Sequence, residues 1–76
     1  MVTLADIPQH EACRVMVAST DNAELQGRLY ALGLYPGVRV DVLRFAPAGD
    51  PIQIRIGTSL LSIRRREAAA ITVEAL

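Results

Sequence analysis

One stretch, Leu32-Gly33-Leu34-Tyr35-Pro36-Gly37-Val38, constrains this chain more than any other. A leucine-bearing helical pattern runs into Gly33, which can take the left-handed conformation that stops a helix. Pro36 presets φ, and Gly37 permits the positive φ of a tight turn. An alternating run, Val38-Arg39-Val40-Asp41-Val42, comes next and predicts a strand. Helix, stop, reversal and strand therefore succeed one another without a linker.

The 76 residues are expected to form one small domain spanning 1–76, since a chain of this length has too little interior for two cores. With only three aromatics, Tyr30, Tyr35 and Phe45, that core must be built of Val, Ile, Leu and Ala, and the β-branched residues favour sheet.

Before the helix, Ala12 to Ala18 reads as a first strand, with Cys13, Val15 and Val17 on one face and Arg14 and Met16 on the other. Met1 to Gln9 shows little periodicity and is expected to be an N-terminal arm or initial turn. Ser19-Thr20-Asp21-Asn22 is a cluster of cap residues, and Glu24 three positions after Asp21 resembles a capping box. A helix from about Asn22 to Leu32 is expected next, with Leu25, Leu29 and Leu32 on one stripe and Gln26, Arg28 and Tyr30 off it.

In the second strand the apolar face passes from Val38, Val40 and Val42 to Leu43 and Phe45, which predicts a bulge or bend near Leu43. The segment Ala46-Pro47-Ala48-Gly49-Asp50-Pro51 is a rigid loop. Ile52, Ile54 and Ile56, then Gly57-Thr58, then Leu61 and Ile63, read as a hairpin. A helical turn over Arg65 to Ala70 and a last strand, Ile71 to Glu74, complete the series. Five short strands with one lateral helix imply a mainly β fold, a small and partly open barrel.

No chemistry of catalysis is visible. The chain has one histidine, no phosphate-cradling glycine loop and no nucleophile set beside a base at a known spacing. No catalytic residue and no cofactor site are assigned. His10, Glu11 and Cys13 could supply N, O and S ligands to a metal, yet a structural site needs four ligands and a catalytic one three. Cys13 on an apolar strand face is better read as a small core residue, and a metal chaperone is the least favoured function.

Eight acidic and eight basic residues cancel, which argues against a dedicated nucleic-acid binder. All eight basic residues are arginine, and Arg64-Arg65-Arg66 is either a partner-docking patch or a solvated face with Asp50, Glu67 or Glu74 as counter-charges. Tyr30 and Tyr35 are the other docking candidates, because tyrosine presents an apolar ring with a wet hydroxyl. The lone cysteine and the absence of an N-terminal basic-then-apolar segment predict a cytoplasmic setting. No apolar run approaches the length needed to span a bilayer.

Three blocks carry a family resemblance: Leu32-Gly33-Leu34-Tyr35-Pro36-Gly37, Ala46-Pro47-Ala48-Gly49-Asp50-Pro51-Ile52, and Leu61-Ser62-Ile63-Arg64-Arg65-Arg66-Glu67-Ala68. In this order they resemble the FeoA family, ferrous iron transport protein A. The resemblance implies an SH3-like barrel and an accessory, non-transporting role beside FeoB, a membrane permease with a cytosolic G-protein domain. Its implied place is the cytoplasm, at the inner face of the membrane through that partner. The same fold is expected in the C-terminal domain of iron-dependent repressors. The alternative function is therefore a free-standing SH3-like regulatory domain that binds a proline-rich or metal-sensing segment.

Overall fold

The computed structural model describes residues 2–18 and 22–76. Its strands are β1 (Ala12–Val17), β2 (Arg39–Phe45), β3 (Ile52–Ile56), β4 (Ser59–Ile63) and β5 (Thr72–Ala75), and its helices are α1 (Ala23–Ala31) and α2 (Arg65–Ala68). The strands form one antiparallel sheet in the order β4-β3-β2-β1-β5. After the β2-β3-β4 meander, α2 carries the chain back so that β5 pairs with β1. The sheet curls into the expected partly open barrel around a core that includes Cys13, Val15, Leu29, Val40, Val42, Ile52, Ile54, Ile63, Ile71 and Val73.

The bulge expected near Leu43 is present. Val42 pairs with Ile54 but Arg44 pairs with Gln53, leaving Leu43 as the extra residue. The inward parity shifts there, so Val42 is buried, Arg44 is exposed, and Phe45 turns back toward the core. The expected β3–β4 hairpin also forms, with Ile56 opposite Ser59 and Gly57 at φ +59°, the left-handed value that a glycine-first two-residue turn requires.

Val17 departs from the inward position expected of it. It is exposed, because a second bulge lies in β1: Val15 opposes Val73 while Val17 opposes Thr72, so Met16 is the extra residue. One inserted residue moves each later side chain of the strand to the opposite face. Ala18 takes the inward position that strict alternation gave to Val17.

Of the arm or initial turn expected at the N-terminus, the structure has the turn, and it is part of the barrel. Leu4–Asp6 forms a 3-10 turn that sends Leu4 and Ile7 into the core. Its amide at Leu4 donates to the Ile71 carbonyl at 2.9 Å, and Val73 donates to Val2 at 2.9 Å, so this segment covers the outer side of β5. Asp6 accepts from the Thr3 amide at 2.9 Å and from its hydroxyl at 3.1 Å, which holds the Asp6 carboxyl below its ordinary 3.8.

In α1 the cap is Asn22, whose side-chain oxygen accepts from the Leu25 amide at 3.1 Å. The capping box expected of Asp21 and Glu24 involves a residue outside those described. Leu29 is fully buried, with Leu25 and Leu32 partly buried against the same core. Strands β2 and β5 each begin about one residue later than expected, at Arg39 and Thr72.

Candidate functional site

The helix stop and the turn after it position the two tyrosines. Gly33, at φ +93°, donates its amide to the Tyr30 carbonyl at 3.0 Å, and Leu34 donates to Leu29 at 2.9 Å. These two bonds form a Schellman motif, and the buried Leu34 anchors it. Tyr35 then opens a turn in which Val38 donates to the Tyr35 carbonyl at 3.2 Å. Pro36 and Gly37 (φ +95°) occupy its centre, as a type II turn demands.

The turn is tied to β1. Gly37 donates to the Val15 carbonyl at 2.8 Å, and Arg14 donates from its guanidinium to the Gly37 carbonyl at 2.9 Å. The Tyr30 and Tyr35 rings stand 6.4 Å apart, centroid to centroid, tilted by 46°. They are 44% and 48% exposed. Two rings on a rigid support offer apolar area that loses little entropy when covered.

The three arginines do not form one patch. Arg65 is held inside the fold: its Nε donates to the Gly49 carbonyl at 3.0 Å and its Nη1 to the Ala5 carbonyl at 3.0 Å. Its guanidinium carbon lies 5.1 Å from the Phe45 ring centre, a cation–π distance. Arg65 also donates its amide to Asp50 Oδ1 at 3.0 Å. It thereby ties the N-terminal turn, the 46–51 loop and β2 to the start of α2. Arg64 and Arg66 are exposed.

Glu67 is the buried carboxylate among the described residues, 6% exposed. It accepts from the Arg64 amide at 3.1 Å and pairs with Arg28 of α1 at 3.3 Å. The counter-charge relation thus runs between the two helices and not within the arginine run. Arg66 borders the cleft beside this pair, together with Asn22 and Leu25. Sequence reasoning placed Arg28 off the leucine stripe but could not see its partner, since Arg28 and Glu67 lie 39 positions apart in the chain.

His10 and Glu11 are exposed, whereas Cys13 is fully buried, so the three do not converge. Among the described residues no group of three or more His, Cys, Asp or Glu side chains gathers to hold a metal. Burial, reinforced by the nearby Asp41 carboxylate, pushes the Cys13 thiol from 9.0 up to about 11. Because the folded value is raised, this group's contribution to stability is complete below pH 9 and is lost as pH rises toward 11. The native protein at pH 8 should therefore resist alkylation by iodoacetamide and label fully in denaturant. Equal labelling rates in both states would show that the thiol is accessible in the fold.

Together these features define a small SH3-like barrel with an exposed aromatic pair at its helix–strand junction. A FeoA domain model matches residues 2–75, and the chain belongs to that family. It is similar to iron(II) transport protein A of Clostridium thermocellum, at 31% identity and a TM-score of 0.92, covering 99% of this chain and 46% of that one. The FeoA protein of Chlorobium tepidum matches at 39% identity and a TM-score of 0.87, over 99% of this chain and 70% of that one. Stenotrophomonas maltophilia FeoA, a prokaryotic SH3 domain protein complexed with zinc, matches at 26% identity and a TM-score of 0.84, over 97% and 91%. The chain thus spans less than half the length of the first of these relatives and most of the third. A manganese-dependent transcriptional repressor shares the fold at 19% identity, with a TM-score of 0.88 over 99% of this chain and 41% of that one.

Proposed function

We propose that this chain is a cytoplasmic accessory protein of bacterial ferrous iron uptake, acting as an interaction or regulatory module for the FeoB-type permease. Membership of the FeoA family over residues 2–75 carries this reading. The Stenotrophomonas maltophilia relative is described as a candidate activating factor of ferrous iron transport. Among the described residues no helix is long and apolar enough to cross a membrane, so the chain reaches its membrane through the partner. Its function is contact rather than chemistry.

The docking surface is the Tyr30–Tyr35 pair, with the exposed Arg64 and Arg66 as separate contact candidates. Arg65 is assigned to the fold, because its guanidinium is already bonded to two carbonyls. Binding energy concentrates in a few aromatic residues, at about 2 kcal/mol or more each. A surface substitution usually alters folding by less than about 0.5 kcal/mol. Tyr30→Ala combined with Tyr35→Ala should therefore leave the melting temperature nearly unchanged while reducing co-purification with the permease and complementation of iron uptake. A double variant that folds and complements fully removes these rings from the interface.

The second reading, a free-standing regulatory domain, is favoured by the fold shared with the manganese-dependent repressor. It predicts a repressor gene beside this one, whereas the uptake reading predicts a permease gene.

A further inference from the structure

The two margins of the sheet are treated differently. On the β5 side, Val2 and Leu4 bond to Val73 and Ile71 and cover the strand. The β4 side has no such cover among the described residues. In a two-residue hairpin the flanking residues exchange both main-chain bonds; here these are Ile56 and Ser59. Alternation along β4 then directs the amides and carbonyls of Leu60 and Ser62 away from β3. Among the described residues no group bonds to them.

Natural edge strands are guarded by lysine, proline, inward charge or a bulge. β4 reads Ser-Leu-Leu-Ser-Ile, contains none of these residues, and pairs with β3 over five unbroken positions. Leu60, near its centre, is 70% exposed. Beside it lies a hollow of about 150 Å³ bordered by Leu43, Gln53, Leu60 and Ser62.

We propose that the edge of β4 is a self-association surface on which a second copy of this chain adds its own β4, antiparallel, about a two-fold axis at Leu61. This register sets Leu60 opposite Ser62 of the second copy and Ser62 opposite its Leu60. Each outward amide and carbonyl then finds a partner, giving four main-chain bonds. Self-complementarity makes a second copy the occupant, since every outward group of one strand meets its counterpart in the other, and charge does not oppose it. The strand is uncharged, and Arg64 falls opposite Thr58, so no like charges oppose one another directly. Arg55, one strand further in, is paired with Asp41 at 3.7 Å. Leu60 of the second copy, standing across from Ser62 on the outer face, lies over the hollow and covers it.

Sedimentation equilibrium of the full chain tests this. The mass should rise from the 8.2 kDa of one chain toward twice that value as protein is raised from about 10 μM to 1 mM, a range suited to so small a contact. Leu60→Lys restores an edge guard, and Ser62→Pro removes an outward amide that the native sheet does not use. Both should keep the dilute-solution melting temperature and hold the mass at one chain throughout. Amide exchange should slow by about 10-fold or more at Leu60 and Ser62 on concentration, with Leu61 protected at both concentrations. A wild-type mass of one chain at the upper concentration overturns the proposal. So does association that survives both variants, or that leaves the Leu60 and Ser62 amides unprotected.

Discussion

Leu29→Asp should abolish the cooperative thermal transition of this protein. Leu29 is fully buried where α1 meets the barrel, and its carbonyl accepts the Leu34 amide that closes the helix. Truncating a leucine at such a site costs about 2 to 5 kcal/mol. A carboxylate placed there adds the cost of an uncompensated buried charge. Small proteins have total stabilities of about 5 to 15 kcal/mol, with a chain of this size near the lower end, so the sum reaches the whole reserve. Circular dichroism at 25 °C should show loss of the native spectrum. A melting temperature equal to wild type would place Leu29 outside the core and turn the leucine stripe into a docking candidate.

Arg65→Ala should be the most damaging change in the arginine run, lowering stability by about 2 to 4 kcal/mol. The two hydrogen bonds of this half-buried guanidinium together contribute about 1.5 to 3 kcal/mol, and the Phe45 contact adds about 0.5 to 1 kcal/mol. Without the guanidinium, the Ala5 and Gly49 carbonyls lose their donors, and the N-terminal turn is no longer tied to the 46–51 loop. At about 4 to 8 °C per kcal/mol for a domain of this size, the melting temperature should fall by roughly 10 °C or more. Arg65→Lys should recover little, since an ammonium cannot serve both carbonyls in the plane of the Phe45 face. Arg64→Ala and Arg66→Ala should each stay within about 0.5 kcal/mol of wild type, as exposed positions do. Equal losses at all three positions would show that the run acts through its summed charge, against the assignment of Arg65 to the fold.

Local signals in the chain carried most of the architecture. The Gly33 stop and the Pro36-Gly37 turn were legible because each requires a backbone conformation that few other residues adopt. The hairpin at Gly57-Thr58 was legible for the same reason. Even the bulge at Leu43 left a trace, since the apolar pattern of β2 visibly changes phase there. The bulge at Met16 left none: Val17 and Ala18 are both apolar, so either could have faced inward. Their fates were decided by the pairing of β1 with β5, whose Thr72 meets Val17 from the far end of the chain.

The exposure of the tyrosines followed from helix geometry, because Tyr30 lies off the leucine stripe. Their approach to 6.4 Å did not, as it depends on how the Gly33 stop and the type II turn fold Tyr35 back beside α1. The arginine run shows the limit most sharply. Three adjacent identical residues carry no information about which one is anchored, and their separation into one half-buried clamp and two solvent-facing neighbours arises from contacts with Ala5 and Gly49, 60 and 16 positions away.

The amino-acid order by itself determined the elements, their sequence and their sharp junctions, because those depend on φ preferences and periodicity within a few residues. Only the tertiary structure decided which face of a bulged strand is inside, which arginine is structural, that Arg28 meets Glu67, and that the edge of β4 is left open. Each of these depends on pairing between residues distant in sequence, and no local preference encodes a partner that the chain has yet to meet.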